Sequence, residues 1–358
     1  MIIGILGGGQ LGMMLCQVAS KLNIQTFIYS DTDDSPAIKY ANHFLIKKYD
    51  DFHEIDNFIK KCDFVTYEFE NIPFKTLSYI EQKIKISPSS EINQIIQDRL
   101  TEKNYVNKIN IPTVPYMEIN NTSDLKSVDP KFFPAILKTR KLGYDGKGQI
   151  VINSYKDISD IPNNEYILEK KINLQQEISI IAVRYKDGTI FTYQPIENIH
   201  KNQILFKSFS PANSEKSIIK EATNHAYNFA EKISYVGTFC LEFFINEEKK
   251  LLLNEIAPRV HNSGHLTIES YNVSQFESHI RSVCDLEKVE PSLKSKSEMI
   301  NILGDDIYNY REKSFKENEY FHDYHKKESK TGRKMGHFTK VLISVSYTHL
   351  RAHETERN

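Results

Sequence analysis

Leu252-Leu253-Asn254-Glu255-Ile256-Ala257-Pro258-Arg259-Val260-His261-Asn262-Ser263-Gly264-His265 starts as an apolar strand and ends on an amide and a carboxylate. One guanidinium, two imidazoles, a second amide and a hydroxyl follow. A structural loop has no need of so many hydrogen-bonding groups, so the run reads as a site for an anionic ligand beside a metal. The strand before it, Thr238–Ile245, carries another carboxylate, Glu242, and Asn246-Glu247-Glu248-Lys249 reads as a hairpin turn. With Glu247 and Glu248 central in that turn, Glu242 faces Leu253 and Glu255 faces Cys240. Glu242 and Glu255 then share one face as diagonal neighbours. Two carboxylates on an apolar face repel unless a cation lies between them, and Mg²⁺ takes oxygen ligands of this kind. The competing expectation is a pair of solvated glutamates, and a three-residue turn would break the shared face.

Composition sets the frame for that site. A chain of 358 residues is too long for one simple core, so two or three domains are expected. A net charge of −1 gives no global attraction to nucleic acid or to an anionic membrane. No apolar run is long enough to span a bilayer. The apolar start lacks a basic segment and a small-residue cleavage site, so it does not read as a signal peptide. The four cysteines are scattered without CxxC spacing, which suits reduced thiols in a cytoplasm.

Residues 1–98 alternate strand and helix signals: strands at Met1–Leu6, Ile24–Ser30 and Phe64–Glu68, and a helix at Gln10–Leu22. The fold class expected is a doubly wound parallel α/β sheet. Its first turn, Gly7-Gly8-Gly9-Gln10-Leu11-Gly12, is a G-x-G-x-x-G, and Asp31 lies 19 residues past Gly12. That spacing fits a dinucleotide, and equally a helix N-terminus aimed at some other phosphate. The acidic turn Asp31–Ala37 weighs against extra phosphates. Thr66-Tyr67-Glu68-Phe69-Glu70-Asn71 puts carboxylates and an amide where α/β sheets bind ligands.

A separate nucleotide apparatus begins near Asp98-Arg99. Residues 99–110 read as a helix and 134–138 as a short strand ending on Lys138, followed by Gly143-Tyr144-Asp145-Gly146-Lys147-Gly148-Gln149 and the strand Ile150–Ile152. A lysine on a strand before a glycine-rich hairpin loop suits phosphate gripping, although this is not a Walker A loop. Strands are expected at Tyr166–Ile172, Glu177–Arg184 and Ile190–Glu197, with His200 beyond. Helices are expected at 215–233 and 274–284. Pro291–Ser297 reads as a linker to a small C-terminal module whose basic stretch is His325-Lys326-Lys327-Glu328-Ser329-Lys330-Thr331-Gly332-Arg333-Lys334-Met335-Gly336-His337. From Ser344 the chain resembles a translated sequencing-adapter artefact and is set aside from the fold. The domains expected are 1–98, 99–290 and 291–343, with 344–358 non-native.

The glycine turn, Tyr67-Glu68-Phe69-Glu70-Asn71, the 143–149 loop, Asn254–His265 and Gly332–His337 together resemble the ATP-grasp family of N5-carboxyaminoimidazole ribonucleotide synthases, in order and over residues 1 to about 340. The resemblance implies a pre-ATP-grasp domain, an ATP-grasp domain with two subdomains, and a small C-terminal module. It implies ATP-driven joining of bicarbonate to 5-aminoimidazole ribonucleotide (AIR) through carboxyphosphate, in purine synthesis. ATP would contact Arg99, Lys138, the loop Gly143, Tyr144, Asp145, Gly146, Lys147, Gly148 and Gln149, then Glu169, Lys170, Lys171, Ile172, Glu177, His200, Asn254 and Glu255. Glu242 and Glu255 would hold Mg²⁺. AIR and bicarbonate would lie among Gln10, Glu70, Tyr144, Asn262, Ser263, Lys327, Arg333 and Lys334, with Arg259, Asp145, His261, Lys327 and Arg333 nearest the chemistry. The proton acceptor for the AIR amine stays open between Asp145 and His261. A cytoplasmic homodimer is implied, with no nucleic-acid or membrane partner. Thr331 departs from the pattern, where relatives often carry proline.

Two other classes compete. An NAD-dependent oxidoreductase explains Gly7–Gly12 and Asp31 but leaves Lys138, the 143–149 loop and Asn254–His265 without work. A silent nucleotide-binding regulator would not require Glu242, Glu255 and Arg259. A nearer rival is another ATP-grasp carboxylase or formyltransferase.

Overall fold

In the N-terminal sheet, four parallel strands run in the order β3-β2-β1-β4: β1 (Ile2–Leu6), β2 (Gln25–Ser30), β3 (His43–Ile46) and β4 (Phe64–Tyr67). The structure is a computed structural model that describes residues 1–143, 148–159 and 161–342. Tyr144, Asp145, Gly146 and Lys147, and the tail from Ser344, therefore lie outside the described residues. β1 is central, with Ile3, Ile5 and Leu6 buried, because its neighbours and the helices cover both of its faces. The helix Gln10–Lys21 turns Leu11, Met14, Leu15 and Ala19 inward, where they meet Phe276, Ile280 and Val283 of the helix Gln275–Val283. The first domain thus shares a core with the middle of the chain.

A second sheet is antiparallel, in the order β5-β8-β6-β7: β5 (Tyr116–Ile119), β6 (Ala135–Thr139), β7 (Gln149–Ile152) and β8 (Tyr166–Lys170). β6 and β7 are the arms of the glycine hairpin, with Lys138 opposite Gln149. At its base Gly148 has φ +76°, and a Cβ there would lie 2.6 Å from Thr139 Oγ1, so this position needs glycine.

The third sheet has nine strands among the described residues. Eight run in the order β14-β13-β9-β11-β12-β15-β17-β16, and β10 pairs with β9. They are β9 (Leu174–Arg184), β10 (Ile190–Thr192), β11 (Ile196–Lys201), β12 (Ile204–Ser210), β13 (Gly237–Asn246), β14 (Leu251–Ala257), β15 (Ser297–Leu303), β16 (Glu319–Asp323) and β17 (Lys334–Val341). The helix Lys216–Lys232 packs Ala222, Ala226 and Phe229 against Ile178, Ile180, Phe239, Leu241 and Phe243. No helix among the described residues is long and apolar enough to cross a membrane.

Two expectations need correction. The expected strand Ile190–Glu197 is two strands, because Tyr193-Gln194-Pro195 interrupts it and proline cannot donate to a ladder. The strand count of the large sheet also goes beyond what the pattern indicates, since β15, past the expected linker, pairs with β12. The β13–β14 hairpin has a three-residue turn, with Lys249 at φ 61° and the Asn246 N–H donating to Lys250 O at 3.2 Å. Phe243 then faces Leu253, and a bulge between Glu242 and Phe243 brings Glu242 opposite Glu255. The two carboxylates do share a face, but as direct partners rather than diagonal ones, and Asn254 is the extra residue.

Candidate active site

Asn254, the bulge residue, is where the two antiparallel sheets meet. Lys138 Nζ, at the end of β6, donates to Asn254 Oδ1 at 3.4 Å and pairs with Glu169 Oε2 at 2.7 Å. Lys103 Nζ lies 3.2 Å from Glu169 Oε1. Burial by itself would raise the Glu169 carboxyl, but the two lysines outweigh it and hold its pKa at about 2. Arg99 Nη1 donates to Thr139 O and Nη2 to Gly143 O, each at 2.9 Å, so this guanidinium braces the base of the glycine loop. Lys170 points away, donating to Lys131 O at 2.7 Å. Lys171 and Ile172 lie beyond the end of β8, and the Lys171 N–H donates to Pro134 O at 3.0 Å.

The other wall comes from the large sheet. His200 Nδ1 on β11 lies 2.5 Å from Glu177 Oε2 on β9. Glu242 on β13 sits 2.8 Å from His261 Nε2. Burial opposes ionisation of Glu242, but His261, His200 and Arg259 hold its pKa at about 2. Burial likewise works against the His261 charge, yet Cys240 and Glu242 push its pKa up to about 10. Glu255 moves the other way: its depth in the cleft, then the facing Glu242, raise its pKa. A cation between the two carboxylates relieves that repulsion, so the pair fits the ion that the sequence suggests. Among the described residues, no three His, Cys, Asp or Glu groups are arranged to hold a metal. Mg²⁺ needs only one or two protein carboxylates, since it keeps water and phosphate oxygens.

Beyond β14 the loop turns toward the N-terminal sheet. Arg259 Nη2 pairs with Glu70 Oε1 at 2.7 Å. His261 Nδ1 lies 2.9 Å from Ser263 Oγ, which is 2.8 Å from Ser179 Oγ on β9. Neither atom of the Asn262 amide has a partner among the described residues, although both are buried. A buried amide without partners points to a ligand. Gln10 opens the first helix, at the same end of the N-terminal sheet as Glu70.

The glycine turn of the first domain is already occupied. Glu68, just past β4, accepts the Gly9 N–H at 2.6 Å, and its carboxylate lies where side chains on Gly7 and Gly9 would go. A carboxylate at that helix start repels a pyrophosphate, so dinucleotide binding is not what this turn does.

The acidic turn binds the C-terminal loop. Asp33 pairs with Lys327 Nζ, and Asp34 with Arg333 Nη2, each at 2.7 Å. Lys326, half-buried beside them, has a pKa lowered to about 8 by desolvation and then by Arg333 and Lys334. The sequence therefore gives the cations of this site but not their present partners. It also misses Glu102 and Lys103. Their signal is the i, i+3, i+4 spacing of Arg99, Glu102 and Lys103 along one helix face.

Comparison with known proteins follows this layout. Residues 1–97 match the ribonucleotide synthetase preATP-grasp domain, 104–276 the ATP-grasp domain, and 297–348 the phosphoribosylaminoimidazole carboxylase C-terminal domain. An N5-carboxyaminoimidazole ribonucleotide synthase of Staphylococcus aureus (strain MRSA252) is 39% identical over 360 residues, covering 97% of this chain and 94% of that protein. This chain belongs to the N5-carboxyaminoimidazole ribonucleotide synthase family. Two solved members have the same fold. The Staphylococcus aureus enzyme complexed with ADP gives a TM-score of 0.89 at 36% identity, covering 96% of this chain and 94% of that one. The Aspergillus clavatus enzyme, in complex with ADP and AIR, gives 0.87 at 31%, covering 95% and 93%.

Proposed function

We infer that this ATP-grasp enzyme joins bicarbonate to the exocyclic amine of AIR, giving N5-carboxyaminoimidazole ribonucleotide, ADP and phosphate. The carrying observation is Glu242 opposed to Glu255, with Lys138 and Asn254 on one side and Arg259, His261 and Asn262 on the other. Groups suited to phosphate and groups suited to a carboxylate meet at one carboxylate pair.

Bicarbonate is a weak nucleophile and ATP repels it. Lys138 and the glycine loop neutralise and hold the phosphates, so a bicarbonate oxygen can attack the γ-phosphorus and release ADP. Glu242 and Glu255 would hold Mg²⁺, which would supply further neutralisation of the phosphate charge. The carboxyphosphate formed is labile in water, which gives the 143–149 loop a reason to close. Arg259, steadied by Glu70, presents N–H groups to the carboxylate. The AIR amine attacks the carboxyl carbon, phosphate departs and the amine loses a proton. The candidates to take that proton are Asp145 and His261. Gln10, Asn262 and Ser263 orient AIR and bicarbonate. Lys327, Arg333 and Lys334, in the 291–343 module, hold the AIR phosphate, with Lys327 and Arg333 exchanging Asp33 and Asp34 for it.

The four cysteines, all free, support a cytoplasmic enzyme. A homodimer is the assembly expected, and sedimentation checks it. The test of function is ADP release with AIR and bicarbonate supplied together, singly and not at all. Release that needs AIR supports the reading. AIR-independent release, or an NADH absorbance change in its place, overturns it.

A further inference from the structure

We propose that Glu102 and Lys103 form a two-point clamp on the peptide groups flanking Glu255, and so position that carboxylate for the metal–nucleotide complex. The proposal rests on the reading of Glu255 as a metal ligand.

Glu102 and Lys103 are consecutive on the helix Arg99–Lys108, and both are buried. Glu102 Oε1 accepts the Ile256 N–H at 2.7 Å, and Lys103 Nζ donates to Asn254 O at 3.1 Å. The two bonds fall on the residues immediately before and after Glu255. β14 is an edge strand of its sheet; an isolated bridge from Thr113 reaches Leu253 on its outer side, and among the described residues no strand runs beside Asn254–Ile256. The bulge at Asn254 leaves this stretch less constrained by the ladder than a regular edge. The helix therefore takes the place of a missing strand at the point where the sheet carries its metal-facing carboxylate. Lys103 also reaches Glu169 at 3.2 Å, which ties the clamp to Lys138 across the cleft. Burying two such polar side chains costs free energy unless their polar atoms are bonded. A pair kept only for packing has no need of bonds placed on either side of one residue.

The test measures ADP affinity by calorimetry, with and without Mg²⁺, in the full-length protein. Glu102→Met removes the acceptor for the Ile256 N–H, whereas Glu102→Gln keeps a carbonyl there. Lys103→Met removes the donor to Asn254 O. The clamp predicts that both methionine variants lose at least about tenfold of the Mg²⁺-dependent gain in ADP affinity while binding metal-free ADP within about twofold of wild type, and that Glu102→Gln keeps most of the gain. Equal weakening with and without Mg²⁺ would mean a merely structural role and overturn the clamp. Equal losses in Glu102→Gln and Glu102→Met would also overturn it, since charge and not the bond would then matter. Unchanged metal gain in the methionine variants sinks the clamp alone. A wild-type protein whose ADP affinity ignores Mg²⁺ sinks the metal reading and the clamp with it.

Discussion

Glu242 and Glu255 face each other directly across β13 and β14, because Asn254 is an extra residue in the second strand. Burial first, and then the Glu242 carboxylate that this irregularity sets opposite it, raise the pKa of Glu255, while His261 pairs with Glu242 at 2.8 Å. A regular three-residue hairpin would have put the two carboxylates on opposite faces of the sheet.

Removing either carboxylate charge should therefore disable the chemistry. Glu255→Gln and Glu242→Gln are each expected to lower turnover at least about a hundredfold, since a lost metal ligand removes several kcal/mol of charge stabilisation. ADP formation at saturating Mg²⁺ checks this, and near-wild-type rates in either variant would contradict it.

Lys138 and Lys327 should separate the two substrates. Lys138 sits at the sheet junction beside Asn254, and Lys327 in the basic C-terminal loop against Asp33. Lys138→Ala is expected to weaken ATP binding about tenfold or more, as befits loss of a charge-assisted contact. Lys327→Ala should weaken AIR binding with little effect on ATP. Titration of each variant with both ligands decides it, and equal losses for Lys327→Ala would count against a substrate role.

Glu169 gives the protein an acid-sensitive element. Its folded pKa of about 2 lies below its ordinary 4.5, so the unfolded chain takes up the proton first as pH falls. The stability it contributes is present above pH 4.5 and is lost as pH drops toward 2. Glu169→Gln strands two buried lysines and should cost about 3–5 kcal/mol at pH 7. Melting curves should show the gap to wild type narrowing below pH 4.5. A gap independent of pH would be the wrong result.

The Gly148→Ala substitution probes the loop hinge. Its φ of +76° and the 2.6 Å approach to Thr139 Oγ1 forbid a side chain without movement. A cost of about 1–2 kcal/mol in stability is expected, with a raised KM for ATP. Unchanged ATP kinetics would show that the base of this hairpin does not set the loop.

Much of this was legible in the sequence because it is local. Glycines after a buried strand mark the first turn, and the polar run from Asn254 to His265 marks the site. What escaped was non-local or energetically quiet. The bulge at Asn254 leaves no periodicity signal, since one extra residue shifts a strand without changing its composition. Glu102 and Lys103 look like solvated helix charges, and only the packing of that helix on the edge of β14 shows them buried. The pairing of β15 with β12 joins residues 297–300 to 207–210, too far apart in sequence for any pattern to reveal. Glu68 was visible as a carboxylate near a ligand edge, but its bond to the Gly9 N–H, which closes the glycine turn to phosphate, needed coordinates.

The most direct test of the central claim follows carbon. The enzyme, ATP, Mg²⁺ and AIR are incubated with ¹³C-labelled bicarbonate, and labelled carbamate is quantified by NMR against ADP released. The account predicts one labelled N5-carboxylated product for each ADP, with none when AIR is omitted. ADP formed without label entering an AIR-derived product would contradict it.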